Sequence, residues 1–141
     1  IATISFNIFM VLGRIYGDWF RDKLGVYKLL LILMMITIIS LIILINFNTV
    51  LYAILGFALL GLGASSVVPI AYSLASQIKG IDSGVGITIV SVAVYGTFIG
   101  APASLGLLAN AYGVNNIFIP IVVIFLVLLI PIRMFKKEFQ L

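Results

Sequence analysis

Residues Gly13 to Lys28 read GRIYGDWFRDKLGVYK and hold four of the chain's eight lysines and arginines and two of its four acids. On either side lie apolar runs, Ile1 to about Leu12 and about Leu29 to Ile45. Half of the charge in 141 residues is therefore concentrated between two stretches of hydrocarbon, together with Gly13, Gly17 and Gly25. The expectation is a polar loop, residues 13–28, that joins two membrane-spanning helices.

Composition supports lipid as the solvent. Apolar residues make up 64% of the chain and charged residues 9%, and the mean hydropathy is +1.36. A water-soluble domain carries roughly a quarter charged residues, so a chain this apolar has too little polar surface to cover itself in water. Each crossing of the hydrocarbon takes about 20 apolar residues as a helix. A helix is required because an isolated strand would leave its backbone unpaired in lipid. Five runs qualify or nearly so: 1–12, 29–45, 50–76, 84–110 and 116–134. The expected fold is all-α and integral to the membrane, with five transmembrane helices. The chain starts at Ile1, inside an apolar run, without an initiating methionine or a charged leader; the expectation is a piece of a longer protein.

Charge placement orients these helices. Arg14, Arg21, Lys23 and Lys28 lie in the first connection, Lys79 in the third (77–83), and Arg133, Lys136 and Lys137 at the C-terminal end (tail 135–141). The second and fourth connections, 46–49 and 111–115, carry no charge. Cytoplasmic connections are the ones enriched in lysine and arginine, which puts the first and third connections and the C-terminus inside the cell. A bacterial inner membrane is the expected location.

The five runs differ in character. The second has no glycine or proline and only Thr37 and Ser40 as polar residues, and the fifth has no glycine. Helices apolar on all faces suit contact with lipid, so both read as outer supports. The third and fourth are rich in glycine, serine and tyrosine and contain Pro69 and Pro102, the marks of close packing and kinking. On the third, Gly61, Ser65, Pro69, Tyr72 and Ser76 recur at helical spacing, with Ser66 and Ser73 beside them. On the fourth, Thr88, Ser91 and Tyr95 share a face, and Gly96, Gly100, Ala103 and Gly106 form a small-residue edge. Asn7 is the carboxamide of the first run. Substrate-path candidates are thus Asn7, Ser65, Ser66, Tyr72, Ser91 and Tyr95. The competing assignment is that the hydroxyls bond to their own helices and the small residues only pack.

Some chemistry is disfavoured at the outset. Cysteine and histidine are absent, which removes disulfides, cysteine-ligated metals and the usual catalytic base. No ionisable residue lies well inside a run, whereas intramembrane relays usually rely on such groups. Neither an enzyme, a metal site nor a cofactor is expected.

The stretch GRIYGDWFRDKLG also resembles the loop signature G-x-x-x-D-[RK]-x-G-[RK]-[RK] of the major facilitator superfamily, with Asp22, Lys23, Leu24 and Gly25 on its D-[RK]-x-G core. GASSVVPIAYSLASQ and VYGTFIGAPASLGLLANAYG are similar to the tenth and eleventh helices of its sugar-permease-like, fucose-permease-type branch. Here Asp18 stands where the signature begins with glycine, Gly17 falls one place early, and Val26 and Tyr27 replace the paired basic residues. The resemblance implies part of the C-terminal six-helix bundle of a twelve-helix transporter, with nested inverted repeats and a midplane site. It further implies alternating-access transport of a small solute, active or facilitative, with the lipid bilayer and an N-terminal half of the same chain as partners and no nucleic acid. A sugar or another neutral polar molecule is the expected solute. Gly13, Arg14, Gly17, Asp18, Asp22, Lys23 and Gly25 become gate candidates, with Asp18 or Asp22 expected to cap the fourth helix near Ser83–Gly86. A non-transporting membrane anchor or assembly subunit is the alternative, though it has no need of two kinked helices with polar faces.

Overall fold

The computed structural model describes residues 1–46 and 49–134, of Asn115 the backbone alone. Its helices are α1 (Ala2–Asn46), α2 (Val50–Ala64), α3 (Val67–Ala75), α4 (Ser83–Tyr112) and α5 (Phe118–Met134), with a 3₁₀ turn at Val114–Ile117 before α5. No strand occurs among the described residues. Three of the spans, Ala2–Asn46, Val50–Ala75 and Ser83–Tyr112, are long and apolar enough to cross a membrane, and Phe118–Met134 is a shorter apolar helix.

Straight, α1 would be about 68 Å long, more than twice the roughly 30 Å hydrocarbon core. It is not straight. Gly25 has φ 75° and ψ 159°, outside the helical region, a conformation open essentially to glycine alone. Arms of about 35 Å (residues 2–24) and 32 Å (26–46) result, each one crossing in length. The packing of α2 shows how the arms run. Gly61 lies against the Phe6 carbonyl and Gly13 against Ser65, so the first arm is parallel to α2. Gly56 lies against Leu44 and Gly63 against Thr37, so the second arm is antiparallel to it. The chain therefore doubles back at Gly25.

This corrects the expected 13–28 loop. Residues 13–24 are helical and the reversal occupies Gly25. Arg14, Asp18 and Asp22 recur at four-residue spacing, which a helix accommodates, and Gly13 and Gly17 serve close approach rather than turning. The expected 50–76 span is also divided. Pro69 clashes with the carbonyl four residues before it, and the regular helix stops there, with turns at Ser65–Ser66 between α2 and α3. By contrast α4 passes through Pro102 unbroken.

The second arm was expected at the lipid-facing edge, and its packing differs. It contributes Val26, Leu29, Leu30, Leu33, Met34, Ile38, Leu41 and Leu44 to the buried set, together with Thr37 and Ser40. Its branched side chains fill the space left by the glycines of α2. In lipid, such close backbone approach and interhelical hydrogen bonds take the place of hydrophobic collapse. Ser40 supplies one of those bonds, donating from Oγ to the Gly56 carbonyl at 2.7 Å. Helix α5 packs against α1, and Phe118, Ile121, Val122, Phe125, Leu129 and Ile132 are half-buried at helical spacing.

The described residues divide into two compact units, the first made of α1, α2 and α5 and the second of residues 68–117. Within the second unit α3 and α4 form an antiparallel helical hairpin. Tyr72 pairs with Ser91, Ser76 with Ser83, and Gly86 lies against the Ala75 carbonyl. Gly86 is the only buried residue of α4. The expected tail, 135–141, with Lys136 and Lys137, lies outside the described residues, as do 47 and 48 within the second connection.

Candidate functional site: hydroxyls on two helices and a glycine-lined fold-back

Two of the substrate-path candidates meet directly. Tyr72 on α3 and Ser91 on α4 place their hydroxyl oxygens 3.2 Å apart. The Ser91 hydroxyl also donates to the Ile87 carbonyl at 2.9 Å. A serine hydroxyl has one proton, so Tyr72 is the donor of the pair and Ser91 the acceptor. Tyr95 follows Ser91 by four residues, on the same face of α4, and is 66% exposed. Tyr72, Ser91 and Tyr95 thus give a half-buried hydroxyl pair next to an exposed phenol.

The remaining candidates divide differently. Ser65 is 1% exposed and Ser66 8%, and the Ser65 hydroxyl donates to the Leu62 carbonyl at 2.6 Å. These two serines are packing contacts of the first unit. A Cβ on Gly13 would sit 2.5 Å from Ser65 Oγ and 2.7 Å from Ser65 Cβ, and one on Gly17 would run into Ser66 Oγ. The first two glycines of the charged stretch therefore seat the arm on the interruption between α2 and α3. Neither the glycines nor the serines announce that pairing in the sequence. Asn7 is exposed and donates to the Thr3 carbonyl at 2.9 Å, within its own helix. Gly96 and Gly100 have open space where a Cβ would stand, and Pro69 is exposed one turn beyond the helix interruption.

Arg14, Asp18, Asp22 and Lys23 are all exposed. The Lys23 ammonium lies 4.0 Å from the centroid of the Trp19 ring, and Trp19 meets Phe20 edge to face at 5.0 Å. A cation over an indole face contributes about 0.5–1 kcal/mol at an exposed site, so Lys23 does more than orient the chain.

The N-terminus of α4, where Asp18 or Asp22 is expected to act, has a cap from its own unit. Asp82, immediately before α4, has extended backbone angles, and its carboxylate accepts from the Gly84 amide at 2.8 Å. Aspartate just before the first apolar turn is an N-cap signal readable in the sequence. Asp82→Ala is expected to cost about 1 kcal/mol, measured as a lower apparent unfolding midpoint of the full-length protein, with Asp82→Ser retaining most of the stability. An unchanged midpoint in Asp82→Ala would show the cap to be idle.

Comparison with known proteins agrees with this helical, apolar architecture. The family model described as Major Facilitator Superfamily matches residues 1–139. The chain is 32% identical over 116 residues to a protein of Rhizobium meliloti named "Membrane protein MosC", an alignment covering 82% of this chain and 28% of that protein. It is 35% identical over 105 residues to an uncharacterised MFS-type transporter of Yersinia pestis, covering 74% of this chain and 27% of the relative. The chain thus spans a little over a quarter of the length of the curated relatives it matches. No solved structure matches it. It is a multi-pass membrane protein, and with almost its whole length matched by the family model, this chain belongs to the Major Facilitator Superfamily.

Proposed function

We propose that this chain is part of a transporter that moves a small, neutral polar solute, such as a sugar, across a bacterial inner membrane by alternating access. The observation that carries this reading is the Tyr72–Ser91 hydroxyl pair with Tyr95 exposed one turn beyond it. Hydroxyl groups that both donate and accept suit an uncharged solute rich in hydroxyls, and they bring no charge into the hydrocarbon. The C-terminus and the Gly25 turn lie on the cytoplasmic side in this reading, which the placement of lysine and arginine supports.

The test is counterflow in proteoliposomes containing the full-length protein. Preloaded neutral polyols and sugars should drive uptake of the labelled solute, and charged analogues should not. Counterflow with charged solutes alone, or with no solute of either class, would overturn the reading. Tyr72→Phe removes the phenol oxygen, whose lone pairs can accept from a solute hydroxyl while its proton goes to Ser91. A hydrogen bond of this kind is worth about 1 kcal/mol net, so the apparent solute affinity should fall about fivefold, with protein yield unchanged. Wild-type affinity in both Tyr72→Phe and Tyr95→Phe would remove these side chains from the solute path.

A further inference from the structure

We propose that the recess beneath the Gly25 turn, between the two arms of α1, takes an acyl chain of an anionic phospholipid whose phosphate is held by Lys23 and Lys28. The recess is a cavity of about 290 Å³. Leu12, Tyr16 and Phe20 of the first arm and Leu29, Ile32 and Ile36 of the second arm form its walls. Gly13, Gly17, Ser65 and Ser66 also border it. The Ser65 hydroxyl is committed to the Leu62 carbonyl, so recognition there is by shape and apolar contact. Water is a poor occupant of a recess with so few polar partners. An alkyl chain suits it.

Charge selects the headgroup. On the first arm the cavity residues 12, 16, 20 and 24 share one helical face, and Asp18 and Asp22 fall on the opposite one. Lys23 adjoins the cavity face and Lys28 precedes the wall residue Leu29. Both lysines are exposed. The Lys23 ammonium is positioned over Trp19, and Trp19 lines a second, shallower recess with Ile15 that shares Tyr16 and Phe20 with the first. Tryptophan and tyrosine favour the level of lipid headgroups, and lysine beside them attracts anionic lipid. An apolar slot therefore opens next to an aromatic and cationic rim.

Trp19 is the only tryptophan of this chain and reports on the rim. The full-length protein and its Trp19→Phe variant are reconstituted with a small fraction of phosphatidylglycerol or phosphatidylcholine brominated on the acyl chains, and the difference isolates the Trp19 signal. Brominated phosphatidylglycerol should quench Trp19 severalfold more strongly than brominated phosphatidylcholine. Lys23→Gln with Lys28→Gln should abolish that preference, since each lysine is worth about fivefold in affinity for anionic lipid. Ile32→Phe, which fills the cavity from a partly exposed position, should weaken quenching by both lipids while leaving the protein folded by size-exclusion profile. Equal quenching by the two lipids would overturn the headgroup assignment, and undiminished quenching in Ile32→Phe would overturn the acyl-chain assignment. Absence of quenching by either lipid would show that another part of the protein or a second copy covers the recess, and would overturn the proposal as a whole.

Discussion

Gly25→Ala in the full-length protein should lower stability by about 1–3 kcal/mol and reduce the yield of monodisperse, membrane-inserted protein. At φ 75° and ψ 159° a Cβ collides with its own backbone, because this region is closed to residues other than glycine. Nothing lies within 4 Å of where that Cβ would stand, so the penalty is conformational and a neighbour's movement cannot relieve it. Relaxing the dihedral toward helix would instead straighten α1, which neither arm's packing on α2 permits. Gly113 offers the comparison. It too has positive φ, 87°, and open space around it, but it ends α4 rather than reversing a spanning helix, so Gly113→Ala should cost yield less. Equal stability of Gly25→Ala and wild type would mean that the turn is made elsewhere.

Gly61→Val is expected to reach the upper end of the roughly 1–3 kcal/mol that overpacking costs, or to exceed it. At Gly61 the neighbour is the backbone of the first arm. A Cβ there would overlap the Phe6 carbonyl oxygen and stand 3.1 Å from the Met10 amide nitrogen. Side chains can change rotamer to accept a new atom; a helix backbone moves only as a unit. The arm would be forced off α2, and the contacts of Gly13 with Ser65 and of Gly17 with Ser66 lie further along the same interface. Gly17→Ala presses only on the Ser66 hydroxyl and should be milder. Thermal unfolding of the detergent-solubilised full-length variants, followed by size-exclusion fluorescence, ranks them. A Gly61→Val protein as stable as Gly17→Ala would contradict the parallel packing of arm and helix.

Much of this architecture is visible in the sequence, because membrane helices announce themselves through length and hydropathy. The helical state of the apolar runs and the segregation of lysine and arginine follow from local patterns. The reading of residues 13–28 as a loop fails for a physical reason. Glycine is common both in turns and at close helix contacts, and only the partner distinguishes the two uses. Gly25 turns the chain; Gly13 and Gly17 admit Ser65 and Ser66. The interruption at Ser65–Ser66 was within reach of the sequence, since proline disrupts the carbonyl four residues before it. Asp82 as the α4 cap was within reach as well.

Which helix is buried was harder to read. The second arm of α1 is apolar throughout, a pattern equally suited to lipid and to protein when lipid tails are as apolar as leucine. Its burial follows from the glycines of α2 that receive Leu44 and the Thr37 side chain. That is a tertiary match, set by residues 12 and 26 positions away in the chain. The Tyr72–Ser91 pair shows the opposite case. Both residues were singled out by type and helical position, and the hairpin register of α3 and α4 brings them within hydrogen-bond distance.

The central claim is that Ala2–Asn46 crosses the membrane twice, folding back at Gly25. The chain has no cysteine of its own, so single cysteines at Thr3, Lys23 and Asn46, in a full-length protein with any other cysteine replaced by serine, can be probed with a membrane-impermeant maleimide in intact cells and inverted vesicles. The fold-back predicts that positions 3 and 46 are labelled from one side and position 23 from the other. Labelling of positions 3 and 46 from opposite sides would contradict it.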